Sequence, residues 1–155
     1  MRRPSIFRLL KIKILHILAT KFPFPSSIRV RIQALRGVKF IDKSSVFIGE
    51  NVTFDGVYPE NITIGKDVMI TRDVVILTHY YVPSCSMHKF RTGKVFIGDN
   101  VFIGLKSAIV SDLVIADGAI IGAGSVVNRD VAINSIVGGV PARVLGKRGD
   151  KQSFR

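Results

Sequence analysis

Three histidines, one cysteine and eleven carboxylates are the residues in this 155-residue chain whose types could do chemistry. Histidine, with an ordinary pKa of ~6.5, is the side chain suited to take a proton from a hydroxyl near neutral pH. His79 closes the run Ile76-Leu77-Thr78-His79, where a regular pattern gives way to irregular sequence. A lone histidine is more often a hydrogen-bonded structural residue or a surface one, and His16 and His88 are read that way. Its position at the break marks His79 as a candidate base. Asp55 precedes Gly56, and Asp-Gly is a common turn dipeptide. Cys85 has no base beside it in sequence and reads as a loop residue. A single thiol excludes an intrachain disulfide and a multi-cysteine metal cluster, and it fits a reducing cytosol.

The elements that must position these residues follow from a period of six. Ile97, Ile103, Ile109, Ile115, Ile121 and Val127 stand six apart, as do Ile64, Ile70 and Ile76 upstream. A helix would repeat every ~3.6 residues and a strand every second residue, so neither explains the pattern. Six-residue units describe one flat side of a triangular prism, with the leading aliphatic residue pointing inward. Three units complete a coil, so equivalents stack every eighteen positions, Ile103 over Ile121 and Ile97 over Ile115. Two interruptions break the period. From Phe54 to Ile64 the step is ten, which inserts four residues around Gly56-Val57-Tyr58-Pro59. From Ile76 to Ile97 the step is 21, three hexads plus three residues, and residues 79–94 read as a loop leaving the prism.

The repeats, taken with four segments, resemble the hexapeptide-repeat acyltransferases. Those segments are Asp55-Gly56-Val57-Tyr58-Pro59-Glu60, Ile76-Leu77-Thr78-His79, Ile121-Gly122-Ala123-Gly124-Ser125 and Gly138-Gly139-Val140-Pro141-Ala142-Arg143. Within that family the likeness is to the maltose and galactoside O-acetyltransferases and to those that decorate bacterial surface polysaccharides, over residues 46–148. The resemblance implies an all-β fold, a left-handed parallel β-helix, although crossovers are usually right-handed. It implies transfer of an acetyl group from acetyl-CoA to a hydroxyl of a sugar or glycan, with His79 as general base and direct attack on the thioester. Asp55 would then orient the imidazole, fixing its tautomer, or hold the acceptor hydroxyl. Glu60 is a second residue for the acceptor. Gly104, Ala123 and Gly124 would keep an edge of the prism free of bulk for the pantetheine arm. Asn128, Arg129 and Arg143 match positions at the nucleotide end, where cations would pair with phosphates. Each of these cations, taken singly, is equally a solvated surface charge. The resemblance also implies a homotrimer with sites between chains, and no metal. Phe102 stands where the family often has tryptophan, which leaves the acceptor open.

Other classes remain to be separated. An amino sugar acceptor would make the enzyme an N-acetyltransferase. A γ-type carbonic anhydrase shares the prism but needs three histidine ligands, and this domain offers only His79 and His88. A non-catalytic scaffold would need neither His79 nor the Pro-Ala-Arg segment.

The net charge of +12 is concentrated at one end. Residues 1–36 hold nine Lys/Arg and no acid, while residues 37–155 hold fourteen Lys/Arg and eleven acids. No nucleic-acid signature accompanies the charge. Residues 5–21 read as a helix with Ile6, Leu10, Ile14 and Ile17 on one face, widened by Phe7 and Leu18 and ended by Pro23 and Pro25. A short basic stretch from Arg29 to Arg36 leads to Gly37. Arg8, Lys11 and Lys13 break the apolar run, so neither a signal peptide nor a membrane span is expected. The chain thus divides into a basic helical segment (1–36), the prism (37–148) and a tail (149–155). The expected location is cytoplasmic. The apolar stripe would either touch the inner membrane surface or pack on the prism or a neighbouring subunit.

Overall fold

The hexads form very short strands that climb in parallel on three faces. The computed structural model describes residues 6–82, 89–110 and 112–149. Two helices come first, α1 (Ile6–Lys21) and α2 (Ser26–Arg36). The strands that follow are β1 (Lys39–Phe40), β2 (Phe47–Ile48), β3 (Thr53–Phe54), β4 (Ile62–Ile64), β5 (Met69–Ile70), β6 (Val75–Leu77), β7 (His79–Val82), β8 (Lys89–Thr92), β9 (Val95–Ile97), β10 (Phe102–Ile103), β11 (Ala108–Val110), β12 (Leu113–Ile115), β13 (Ile120–Ile121), β14 (Val126–Val127), β15 (Ser135–Gly138) and β16 (Arg143–Lys147).

One face orders its strands β1-β4-β9-β12, the second β2-β5-β10-β13-β15-β16, the third β3-β6-β11-β14. The chain therefore visits the three faces in rotation, and pairing is parallel until β16 turns back antiparallel on β15. Ile97 pairs with Ile115 and Ile103 with Ile121, the stacking expected from the period. The leading residues Ile48, Phe54, Ile64, Ile70, Ile76, Ile97, Ile103, Ile109, Ile115 and Ile121 are all buried in one core. Each such side chain contributes about 1.5–3 kcal/mol relative to exposure.

The corners explain the polar residues of the repeat. Asn51, Asp67, Asp73, Asn100, Lys106 and Asn134 bend the chain with φ between 53° and 61°. Asn and Asp tolerate this left-handed conformation better than other side chains. A Cβ on Gly104 would lie 2.6 Å from the Ala123 nitrogen and 2.8 Å from the Ile121 oxygen. Glycine there lets one coil touch the next.

Three expectations are revised. The 21-residue step is a single move from β6 on the third face to β9 on the first, with β7 and β8 in a separate sheet. Residues 79–82 and 89–92 are not irregular: β7 and β8 pair as an antiparallel ribbon, His79 opposite Thr92 and Tyr81 opposite Phe90. The stretch from Arg29 to Arg36 is helical and belongs to α2, which Gly37 ends at φ 122°, its N–H donating to the Ala34 carbonyl.

Helix α2 covers the first coil. Val30 joins the same core as the prism residues. Arg29 donates to the Ile48 carbonyl at 3.3 Å, and the Ser26 hydroxyl accepts the Ile48 N–H at 2.8 Å. Helix α1 packs on α2, burying Ile12 and Ala19. The stripe of Ile6, Phe7, Leu10, Ile14 and Ile17 faces outward. Among the described residues that stripe does not pack on the prism, because α1 turns its opposite face inward. No described helix is long and apolar enough to cross a membrane.

Candidate active site

The two interruptions of the repeat meet at one point. Strands β3 and β6 pair with Phe54 beside Ile76. The residues immediately beyond each strand therefore converge: Asp55 from the inserted turn, and Thr78 and His79 from the start of the ribbon.

Asp55 is fully buried. Its Oδ1 accepts the backbone N–H groups of Val57 and Tyr58, each at 2.8 Å. Its Oδ2 accepts the Thr78 N–H and the Thr78 hydroxyl, both at 2.8 Å, and lies 2.7 Å from His79 Nδ1. Burial alone would raise its pKa. The N–H groups of Tyr58, Val57 and Thr78 and the Thr78 hydroxyl outweigh burial and hold the carboxyl at about 2. An ionised carboxylate has no proton to give, so Nδ1 of His79 carries the hydrogen and donates it. The lone pair of the neutral imidazole is then on Nε2, which can accept a proton.

The ring is about a quarter exposed. Tyr58 meets it edge-on with centroids 6.2 Å apart, and Phe90 of β8 lies tilted at 5.7 Å. Tyr81 packs edge-on against Phe90 at 5.4 Å. An aromatic wall from the inserted turn and the ribbon thus flanks the imidazole.

Arg36 supports this arrangement from α2. It is buried, and its Nη2 donates to the carbonyls of Phe54 at 3.2 Å and Asp55 at 3.0 Å. Burial lowers its pKa to about 10, against the raising effect of the Asp55 charge, so it stays cationic at neutral pH. Glu60 pairs with Arg8 of α1. Arg36, Thr78, Tyr58 and Phe90 were not among the residues picked from the sequence for this site. Only Thr78 and Tyr58 stood inside segments that carried the resemblance. His16 is partly buried in α1, and burial, Arg36 and Lys21 all lower its pKa. Cys85 and His88 lie outside the described residues.

The expected cofactor residues divide between two corners of the prism. Gly104 follows β10, and Ala123 and Gly124 follow β13, so all three lie where the second face turns into the third. Ala123 and Gly124 are exposed, and a Cβ on Gly124 would meet nothing within 4 Å. Gly104 is buried. Asn128 and Arg129 follow β14, on the corner that also carries His79 two coils earlier. Arg129 and Arg143, both exposed, line one small cavity of about 120 Å³ with Val131, Val137 and Ala142. Among the described residues no group of three or more His, Cys, Asp or Glu could hold a metal ion.

Comparison with known proteins agrees with these features. Residues 94–129 match the bacterial transferase hexapeptide (six repeats) family. The chain is 38% identical over 98 residues to YvoF of Bacillus subtilis (strain 168), which bears an acetyltransferase name, covering 63% of this chain and 55% of that protein. It is 33% identical over 96 residues to the galactoside O-acetyltransferase of Escherichia coli (strain K12), covering 58% and 46%. The chain thus spans about half the length of these relatives. A hexapeptide-repeat acetyltransferase of Vibrio cholerae O1 biovar eltor, solved with acetyl-CoA, shares the fold at a TM-score of 0.68 and 21% identity, over 93% of this chain and 88% of that one.

Proposed function

We infer that this chain, a hexapeptide-repeat protein resembling the galactoside O-acetyltransferases, moves an acetyl group from acetyl-CoA to a hydroxyl of a sugar or glycan. The observation that carries the reading is the buried Asp55 carboxylate 2.7 Å from His79 Nδ1, which leaves Nε2 as the base. Acetyl-CoA supplies the acetyl thioester. His79 Nε2 takes the acceptor hydroxyl proton as that oxygen attacks the thioester carbonyl, and then gives the proton to the departing thiolate. Asp55 stabilises the imidazolium formed in between. Tyr58 and Phe90 offer the acceptor ring an apolar surface beside the base.

Ala123 and Gly124 suit the pantetheine arm, since their corner is exposed and free of bulk. Arg129 and Arg143, with Asn128, suit the phosphates and nucleotide. The base and the Ala123–Gly124 corner lie on different edges of one prism, which favours a site completed by a second copy. The assembly is a homotrimer in which the His79 corner of one chain faces the Ala123–Gly124 corner of the next. Its coils wind left-handed, as in the family it resembles.

The test is thiol release from acetyl-CoA against a panel of soluble glycosides, with the product examined for a hydroxylamine-labile ester. Acceptor-dependent release that yields the ester is expected. Release that yields an amide would make the enzyme an N-acetyltransferase. Acetyl-CoA binding with no acceptor-dependent release from any glycoside or amino sugar would overturn the reading.

A further inference from the structure

Among the described residues nothing covers the outward face of α1. At about 100° per residue, Ile6, Phe7, Leu10, Ile14 and Ile17 fall within an arc of roughly 100°. Ile6 is 78% exposed, Phe7 82%, and the other three are at least half exposed. Lys13 borders this arc on one side and Lys11 on the other, and both are exposed. Ile12 and Ala19, on the opposite side, are buried against the rest of the protein. Lys21 falls inside the arc at the last position of the helix and so ends the apolar surface at Ile17, and no acid occurs anywhere in residues 1–36.

We propose that α1 lies in the surface of an anionic lipid bilayer, its apolar arc among the acyl chains and its flanking lysines at the headgroups, and so holds the His79 site at the membrane. The charge pattern selects this occupant. A second copy docked face to face would bring Lys11 and Lys13 against like charges at a dry contact. The area also argues against a dimer held by this face alone. The helix face is about 24 Å by roughly 10 Å, on the order of 250 Å² per copy, against about 800 Å² per partner in a stable complex. A bilayer has no such threshold, because it takes an amphipathic helix singly and attracts its cations.

The same helix is tied to the site. On the protein side of α1, Arg8 pairs with Glu60, two residues beyond Tyr58, whose ring meets His79. A bilayer under α1 is therefore close to the aromatic wall. Resting on the proposed acetyl transfer, this placement identifies the acceptor class as a glycan on a membrane-embedded carrier.

The test uses the full chain and a Leu10→Asp/Ile14→Asp variant. These positions are exposed, so the fold is expected to survive, and a Lys11→Glu/Lys13→Glu variant provides a second disruption that leaves the apolar arc intact. Vesicles of phosphatidylcholine with ~30% phosphatidylglycerol should bind the wild type, and both variants should bind at least about tenfold more weakly. Raising salt from about 0.1 to about 0.5 M should weaken wild-type binding by a similar factor. Turnover of a vesicle-borne glycolipid should fall by about tenfold in the variants, while turnover of the same headgroup as a soluble glycoside stays unchanged. No pelleting at low salt, or equal pelleting with phosphatidylcholine alone, overturns the proposal. So does a change of oligomeric state in the Leu10→Asp/Ile14→Asp variant without lipid, which would assign the stripe to a second copy. Vesicle binding without any thiol release would leave the docking intact and remove the acetyltransferase reading instead.

Discussion

Strands β9 to β14 and the stretch from β3 to β9 are built from the same repeat and use one position differently. In the regular coils the residue after the leading aliphatic is often glycine, as at Gly98 and Gly104, and each lets the next coil approach closely. After Phe54 that position holds Asp55, which is buried and accepts from Val57, Tyr58, Thr78 and His79. The inserted turn supplies two of those donors and the exit into the ribbon supplies the others. At an unbroken corner a carboxylate stays at the surface, as Asp117 does beside Gly98, where it accepts the Asp99 N–H. Where extra residues enter, the corner can bury a carboxylate with the donors needed to keep it ionised.

The largest effect should come from the interrupted region. His79→Ala should lower turnover by about 10²–10⁴-fold, as loss of a general base does. Its melting temperature should stay near that of the wild type, because the ring is partly exposed. A rate within tenfold of wild type at saturating acceptor would detach His79 from the chemistry.

Asp55→Asn should strike both function and fold. The amide presents a donor where five were accepted, which costs about 3 kcal/mol by the usual penalty for a broken buried charged network. The wild-type carboxyl also sets an acid limit. Its pKa is about 2 in the folded protein against 3.8 unfolded, so the unfolded chain binds the proton first. Stability from this group is full above the unfolded value and is lost as the pH falls from there towards about 2, by about 2 kcal/mol in all. Denaturation of wild type and Asp55→Asn at about pH 6 and about pH 3 should show a gap that narrows on acidification. A gap independent of pH would mean that the carboxyl is not held ionised.

In the regular region, Gly104→Ala should destabilise by about 2 kcal/mol through overpacking against the next coil. The Michaelis constant for acetyl-CoA should move little in molecules that remain folded. A raised constant with unchanged stability would return Gly104 to the cofactor groove. The smallest effect should be Lys106→Gly. Lys106 sits at φ 58°, and relief of that conformation should raise stability by about 0.5–1 kcal/mol in chemical denaturation.

The leading aliphatic residues were legible because each is buried by its own place in the period, without reference to anything distant. His79 and Asp55 could be picked as types, and their pairing hangs on the β3–β6 register, which the repeat only implies. Phe90 could not be seen, since the ribbon that folds it back onto His79 has strands of only four residues, too short for a pattern to show. Helix α2 was hidden by Ile28-Arg29-Val30-Arg31-Ile32, whose alternation looks like a strand. Arg36 was missed because arginine is ordinarily in water, and this one is buried against two carbonyls. On α1 the spacing of Ile6, Leu10, Ile14 and Ile17 puts them on one face, and only packing tells which face turns inward.

Helix α2 has one more consequence. A stack of coils offers a row of open backbone groups at each end, and identical ends invite prisms to join into filaments. At the first coil, Ser26, Arg29 and Arg36 already engage the backbone of Ile48, Phe54 and Asp55. At the last, β16 folds back on β15 and shields that strand. The residues that steady the site therefore also stopper one end of the column, and a chain cut at Gly37 would open that end to pairing while losing its carboxylate's support.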